Sequence, residues 1–151
     1  MIHTEDTIVI KGNVDEVFEI SSDVERYPEF IPTYKEVRIL SKEGPEMIVE
    51  RESEAGYKWR SRVFVDKDKR LIKAEQLEGP LKGMKIEWKF AEIDDGTRIV
   101  LTHDFEYKKV PLIGNLIGRL IVSRIVKKMA TQTLEGVKRK VEEGLQIGRR
   151  G

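Results

Sequence analysis

The stretch Tyr57-Lys58-Trp59-Arg60-Ser61-Arg62-Val63-Phe64-Val65 decides the fold. Tyr57, Trp59, Ser61, Val63 and Val65 share one parity, and Lys58, Arg60 and Arg62 share the other. Side chains of an extended chain point alternately to opposite faces, so the stretch reads as a strand with one buried and one wet face. Met84-Lys85-Ile86-Glu87-Trp88-Lys89-Phe90 repeats the pattern. Strands of a parallel sheet, covered on both faces, would instead read as unbroken apolar runs, so the sheet is expected to be antiparallel.

Turn signals surround these two strands at an interval of about 12 residues: Gly44-Pro45, Gly56, the run Asp66 to Lys69, Gly79-Pro80 to Gly83, and Asp95-Gly96. The segments between them predict strands over 37–40, 47–52, 57–65, 71–77, 84–93 and 97–107. Upstream, Thr7-Ile8-Val9-Ile10 predicts a strand within 4–11 that stops at Gly12-Asn13. Asn13 with Glu16 makes a capping box for a short helix carried by Val14, Val17, Phe18 and Ile20. Ser21 to Asp23 restart the chain into a second short helical piece over 23–31, bounded by Pro28 and Pro32.

Downstream of Pro111 there is no further proline, and Leu, Ile, Lys, Arg and Glu dominate. The sequence predicts a helix of about 30 residues, ~45 Å long, ending near Gly144. Its second half carries a narrow stripe of Ala130, Leu134, Val137 and Val141. Its first half is apolar around much of its circumference, with Leu112, Ile113, Leu116, Ile117, Leu120, Ile121, Val122, Ile125 and Val126. Residues 145–151 have no period and are expected to fray. The expected order is β-α-α-β-β-β-β-β-β-α, an α+β domain over 1–144. A sheet with one apolar face must be covered, and only the long helix is large enough. A curved sheet wrapped around one helix leaves a space between them, and a pocket there is the default binding site.

The composition narrows the chemistry. The chain of 151 residues has no cysteine, which excludes a disulfide scaffold, a cysteine zinc site, an iron–sulfur cluster and a thiol nucleophile. Scarce Asn and Gln beside abundant Lys and Glu resemble a heat-adapted composition. Met1 to Lys11 lacks the basic start and apolar run of a secretory leader, so the expected location is the cytoplasm. The net charge of +1 conceals an asymmetry: residues 1–107 hold 17 Lys+Arg and 24 Asp+Glu, net −7, whereas 108–151 hold 11 and 3, net +8. The basic segment either balances the acidic body or presents Lys127, Lys128, Lys138, Arg139 and Lys140 to a ribosome or an anionic membrane. Phosphate-loop, dinucleotide and zinc-protease motifs are absent from the sequence, no metal site is expected, and nothing points to DNA. Gly114-x-x-x-Gly118 resembles a membrane packing motif, but Arg119 and Arg124 each cost ~2.5–3.5 kcal/mol at a bilayer centre, so the segment is not expected to span.

Asp23-Val24-Glu25-Arg26-Tyr27-Pro28-Glu29-Phe30-Ile31-Pro32, Glu78-Gly79-Pro80-Leu81-Lys82, Trp88-Lys89-Phe90, Gly96-Thr97-Arg98 and Asp104-Phe105-Glu106-Tyr107 together resemble the START-like superfamily. The similarity is to its polyketide cyclase and coenzyme Q-binding branch, which includes the ribosome-association toxin, and it spans about residues 3–143. The resemblance implies a helix-grip fold with a cavity for an isoprenoid quinone, lipid or polyketide. It also places Tyr27, Pro28 and Phe30 at the cavity mouth.

Alternation supplies the rest of the cavity. His103 shares its parity with Ile99, Leu101 and Phe105 and is expected to face inward, as are Ser61 and Gln76; Arg51 is the inward candidate of its strand, which could equally bury Ile48. Trp59, Val63, Met84, Ile86, Trp88, Leu101 and Phe105 are expected as walls, with Leu116 and Leu120 from the helix. An aromatic-walled pocket and a filled core both fit this pattern. No residue is assigned to catalysis, and His103 is the candidate if there is one. The leading expectation is a binder or carrier of a small hydrophobic molecule, with no cofactor beyond a quinone or lipid held as cargo. A ribosome-associated protein using the basic helix comes second, and a polyketide aromatase/cyclase third. Peripheral membrane contact remains open, and no oligomeric state follows from the sequence.

Overall fold

The computed structural model describes residues 1–106 and 115–150. Strand β1 (Ile2–Ile10) is followed by helix α1 (Val14–Ser22), a 3-10 turn (Val24–Arg26) and helix α2 (Tyr27–Phe30). Strands β2 (Tyr34–Glu43), β3 (Glu46–Ser53), β4 (Lys58–Asp66), β5 (Leu71–Gln76), β6 (Lys85–Ile93) and β7 (Gly96–Phe105) then precede helix α3 (Asn115–Arg150). All strands pair antiparallel in one seven-stranded sheet, in the order β1-β7-β6-β5-β4-β3-β2. The element order is the one that alternation and turn spacing predict, and the architecture is the helix-grip that the START-like resemblance implies. The short helices carry the chain from one edge strand to the other, because β1 and β2 lie at opposite margins of the sheet.

Local chemistry accounts for the breaks. Asn13 caps α1 by accepting the Asp15 backbone N–H at 2.8 Å, whereas the expected return contact from Glu16 is absent among the described residues. Pro28 sits in the first turn of α2, where its missing N–H costs nothing. Tyr57, expected on the buried face, precedes β4 and is 44 % exposed, stacked on Trp59 at 5.4 Å.

Helix α3 has 36 residues and runs to Arg150, so the backbone of 145–150 continues the helix that the sequence ends at Gly144. Its stripe is buried as expected: Ala130, Leu134, Val137 and Val141 are all 3 % exposed or less. The backbone of α3 approaches β1, α1 and α2 closely and stands off from the central strands. Gly136 permits the contact with α2, since a Cβ there would lie 2.7 Å from the Phe30 carbonyl oxygen and 2.8 Å from Ile31 Cγ1. Leu112 and Ile113 lie outside the described residues, as does the side chain of Leu116. Ile117, Leu120, Ile121 and Ile125 are exposed, whereas Val126 joins a small cluster with Met84 and Phe105.

Gly136→Ala is expected to destabilise the protein by about 1–3 kcal/mol, because a backbone carbonyl cannot swing aside as a side chain can. Gly144→Ala meets nothing within 4 Å and should stabilise a continuous helix by up to about 1 kcal/mol. Thermal melts of the two variants check both signs.

Candidate functional site

Antiparallel register sets the inner face of the sheet in transverse rows. His103, Ile86, Ala74, Val63 and Met47 form one row; Gln76, Ser61 and Val49 form the next; Trp59, Arg51 and Val37 form a third. The polar side chains therefore run diagonally, with His103 on β7 and Arg51 on β3. Four strand spacings separate them, roughly 19 Å along the sheet.

A cavity of about 90 Å³ lies between this face and α3. Of the residues expected from sequence, Tyr27, Arg51, Trp59, Ser61, Val63, Gln76, Met84, Ile86, Trp88, Leu101 and His103 line it. Leu120 does not, because at 53 % exposure it faces away from the sheet. Phe105 is buried instead in the cluster with Met84 and Val126. Pro28 and Phe30 stand behind the wall; the Phe30 ring packs edge-on against Tyr27 at 5.9 Å, so it supports a lining residue without lining the cavity. Val24, Tyr34, Ile72, Ala74, Met129, Ala130 and Thr133 complete the lining. Ile72 and Ala74 share the parity of Gln76 and were findable that way; Tyr34 opens β2, and its role depends on a tertiary contact with Tyr27 and Trp59 at 5.5 and 6.0 Å between rings.

Each polar group has a distinct setting. Arg51 is 9 % exposed; its Nε donates to Ser61 Oγ and one terminal nitrogen donates to the Tyr34 hydroxyl, both at 3.3 Å. Its guanidinium lies 5.8 Å from the centres of the Tyr27 and Tyr34 rings, within cation–π range. The Tyr27 hydroxyl donates to the Ser21 carbonyl, and burial raises its pKa above the ordinary phenol value, so it stays neutral. Gln76 donates to the Glu78 carbonyl at 2.9 Å. Burial pushes the His103 pKa down to about 4, against the opposing pull of the Asp6 and Asp104 carboxylates. His103 is thus a neutral imidazole at pH 7, and its buried Nδ1 has no hydrogen-bond partner among the described residues.

The model of the family described as polyketide cyclase / dehydrase and lipid transport matches residues 10–133. The chain belongs to that polyketide cyclase family. A putative polyketide cyclase of Streptomyces cyaneus is 35 % identical over 112 residues, 70 % of this chain and 74 % of that one. The ribosome association toxin RatA of Rickettsia prowazekii is 27 % identical over 124 residues, 78 % of this chain and 84 % of that one. Among solved structures, the ZhuI aromatase/cyclase from Streptomyces sp. R1128 superposes with a TM-score of 0.86 at 26 % identity, covering 95 % of each chain. Membership agrees with the START-like resemblance and with the helix-grip fold.

The basic surface expected on α3 of this polyketide cyclase family member stays accessible to solvent, but part of it is engaged with β1 and α2. Lys127 Nζ donates to the Glu5 carbonyl and to Asp6 Oδ1, each at 3.0 Å. Lys138 Nζ donates to the Val9 carbonyl at 3.0 Å and to Glu142 at 2.8 Å, and Arg139 donates to the Phe30 carbonyl at 3.2 Å. Lys128 and Lys140 are exposed and have no ion pair among the described residues. Among the described residues there is also no group of three metal-ligating side chains, and no helix long and apolar enough to cross a membrane.

The His103 pKa has a stability consequence. Its folded value of about 4 lies below the unfolded 6.5, so between these limits the unfolded chain binds more protons. Stability is full above pH 6.5 and falls towards pH 4, by on the order of 3 kcal/mol at most. A His103→Leu variant should show a flatter thermal stability profile than the parent across that window, and parallel profiles would contradict it.

Proposed function

We propose that the protein binds a small, largely apolar, oxygen-bearing molecule of the polyketide or lipid type between the sheet and α3. The observation that supports this best is the lining itself: aromatic and aliphatic walls interrupted by Arg51, Ser61, Gln76 and His103, contributed by four strands. Few polar groups in an apolar enclosure orient a ligand while burial supplies affinity, at about 25 cal/mol per Å² before association costs. The volume adds a requirement. A hole of about 150 Å³ admits benzene, so a ligand of that size or larger enters this cavity of about 90 Å³ only as the walls yield. Met129, half-buried on α3 with a flexible unbranched side chain, is the lining residue most suited to move.

One observation favours cyclisation chemistry as a second reading: a neutral imidazole in the lining is able to accept a proton from an acidic carbon. Arg51 stands at the far end of the diagonal, so in this reading it orients the ligand and His103 moves the proton. A ribosome-binding reading draws chiefly on Lys128 and Lys140, unpaired among the described residues, because Lys127, Lys138 and Arg139, though still solvent-accessible, are engaged with β1, Glu142 and α2.

Ala74→Leu tests the binding reading, because the added carbons occupy the cavity floor. Organic extracts of the purified parent protein, read by mass spectrometry, should carry an apolar compound that the variant lacks. 1,4-Naphthoquinone and 1-naphthol should raise the melting temperature of the parent and not that of the variant. Equal shifts in both proteins, or none in either, would remove the cavity as the site. For the second reading, His103→Gln should keep probe binding and lose turnover of a poly-β-ketone substrate.

A further inference from the structure

Arg51 presents a buried positive charge that the chain does not neutralise. All the Asp and Glu residues lie among the described residues, and none has an oxygen within 4.0 Å of the Arg51 guanidinium. The neighbouring carboxylates on β3 are committed elsewhere, because alternation turns Glu50 and Glu52 to the opposite face. There Glu50 pairs with Arg38 and with Arg60 at 3.1 Å, and Glu52 lies 4.0 Å from Lys35. Tyr27 is neutral and donates its proton to a carbonyl, so it supplies no counter-charge. Two long hydrogen bonds and two ring faces solvate the guanidinium, and they use only two of its five N–H donors.

An ionised side chain that is nine-tenths buried is ordinarily paired or coordinated. Here the remaining donors belong to a residue of the cavity lining. A planar guanidinium fork matches the two oxygens of a carboxylate, which no hydroxyl or ketone reproduces. The diagonal of polar groups then gives the ligand a direction, with its acidic end at β3 and its apolar body along Trp59, Val63 and Trp88.

We propose that Arg51 is the anchor for a carboxylate, and that the ligand of this cavity is a small apolar monocarboxylic acid bound as its anion. The proposal rests on the cavity being the ligand site and goes further by fixing the ligand's charge and orientation.

The test compares acids with amides of the same shape: benzoate with benzamide, and 2-naphthoate with 2-naphthamide. Binding is read at neutral pH from the indole N–H resonances of Trp59 and Trp88 and from the melting temperature. The acids are expected to bind about tenfold or more tightly than the amides. Arg51→Met should abolish that preference, so that acid and amide bind the variant alike. Its melting temperature without ligand should be no lower than the parent's, because a buried charge without a counter-ion is replaced by an apolar chain of similar length. Arg51→Lys, which keeps the charge and loses the fork, should retain a weakened preference. Acid and amide binding equally to the parent would overturn the carboxylate assignment and leave the cavity reading standing. A large loss of melting temperature in Arg51→Met, with the acid preference intact in Arg51→Lys at the parent's full strength, would make the residue structural and overturn the proposal. If neither acid nor amide moves the indole resonances, the cavity reading fails and the proposal with it.

Discussion

One helix cannot cover a seven-stranded curved sheet evenly, and the rest of the molecule is arranged around where α3 makes its contact. The stripe Ala130-Leu134-Val137-Val141 is narrow and made of small or branched side chains, so it packs closely. It packs at one side, against β1, α1 and α2, with Gly136 bringing the backbones together at Phe30. The central strands β4, β5 and β6 are left facing the helix across a gap that large side chains must span. Trp59, Trp88, Tyr27, Tyr34 and Met129 reach into it, and the space they fail to fill is the cavity. The cavity is in this sense a by-product of lateral docking.

The aromatic rings hold the two ends of that gap. Tyr27, Tyr34 and Trp59 form one chain of contacts with ring centres 5.5 and 6.0 Å apart. Phe18, Phe90 and Trp88 form another at 5.1 and 6.1 Å. Rings lose little freedom on ordering and resist compression, so the cavity keeps its ends while its middle, bounded by Ala74, Ala130 and Met129, is the part able to change. The polar diagonal from His103 to Arg51 crosses that middle.

Period-two alternation made the sheet legible, because a buried face leaves a direct mark on each strand. The same parity placed Ser61, Gln76 and His103 on the inner face without any knowledge of the partners they would meet, whereas on β3 it left Arg51 and Ile48 as alternatives that only the structure decides for Arg51. It failed where position depends on docking. Leu120 looked like lining because the first half of α3 is apolar on most sides, and parity has no counterpart that says which side a helix turns to the sheet. Leu120 is exposed as a result. Phe105 has the right parity, but it lies at the end of β7 where a second small cluster claims it. The helix end was misplaced for a simpler reason: Gly144 is a common stop signal, yet a glycine with open space around it does not oblige the chain to turn. The charge split was visible from counting, whereas its use as an internal clasp required knowing that β1 lies beside α3.

That clasp has a consequence for how the protein behaves among its own copies. β1 is an edge strand, and the carbonyls of Glu5 and Val9 accept hydrogen bonds from Lys127 and Lys138. An edge whose acceptors are already taken by ammonium groups is a poor template for a strand from another molecule. The opposite edge, β2, is interrupted by register shifts between Tyr34 and Glu36 and between Ile39 and Ser41, which twist it away from flat pairing. Both margins of the sheet are therefore hindered as templates, one by two lysines and one by irregular backbone. A strand added at either margin would first have to displace those ammonium contacts or straighten that backbone.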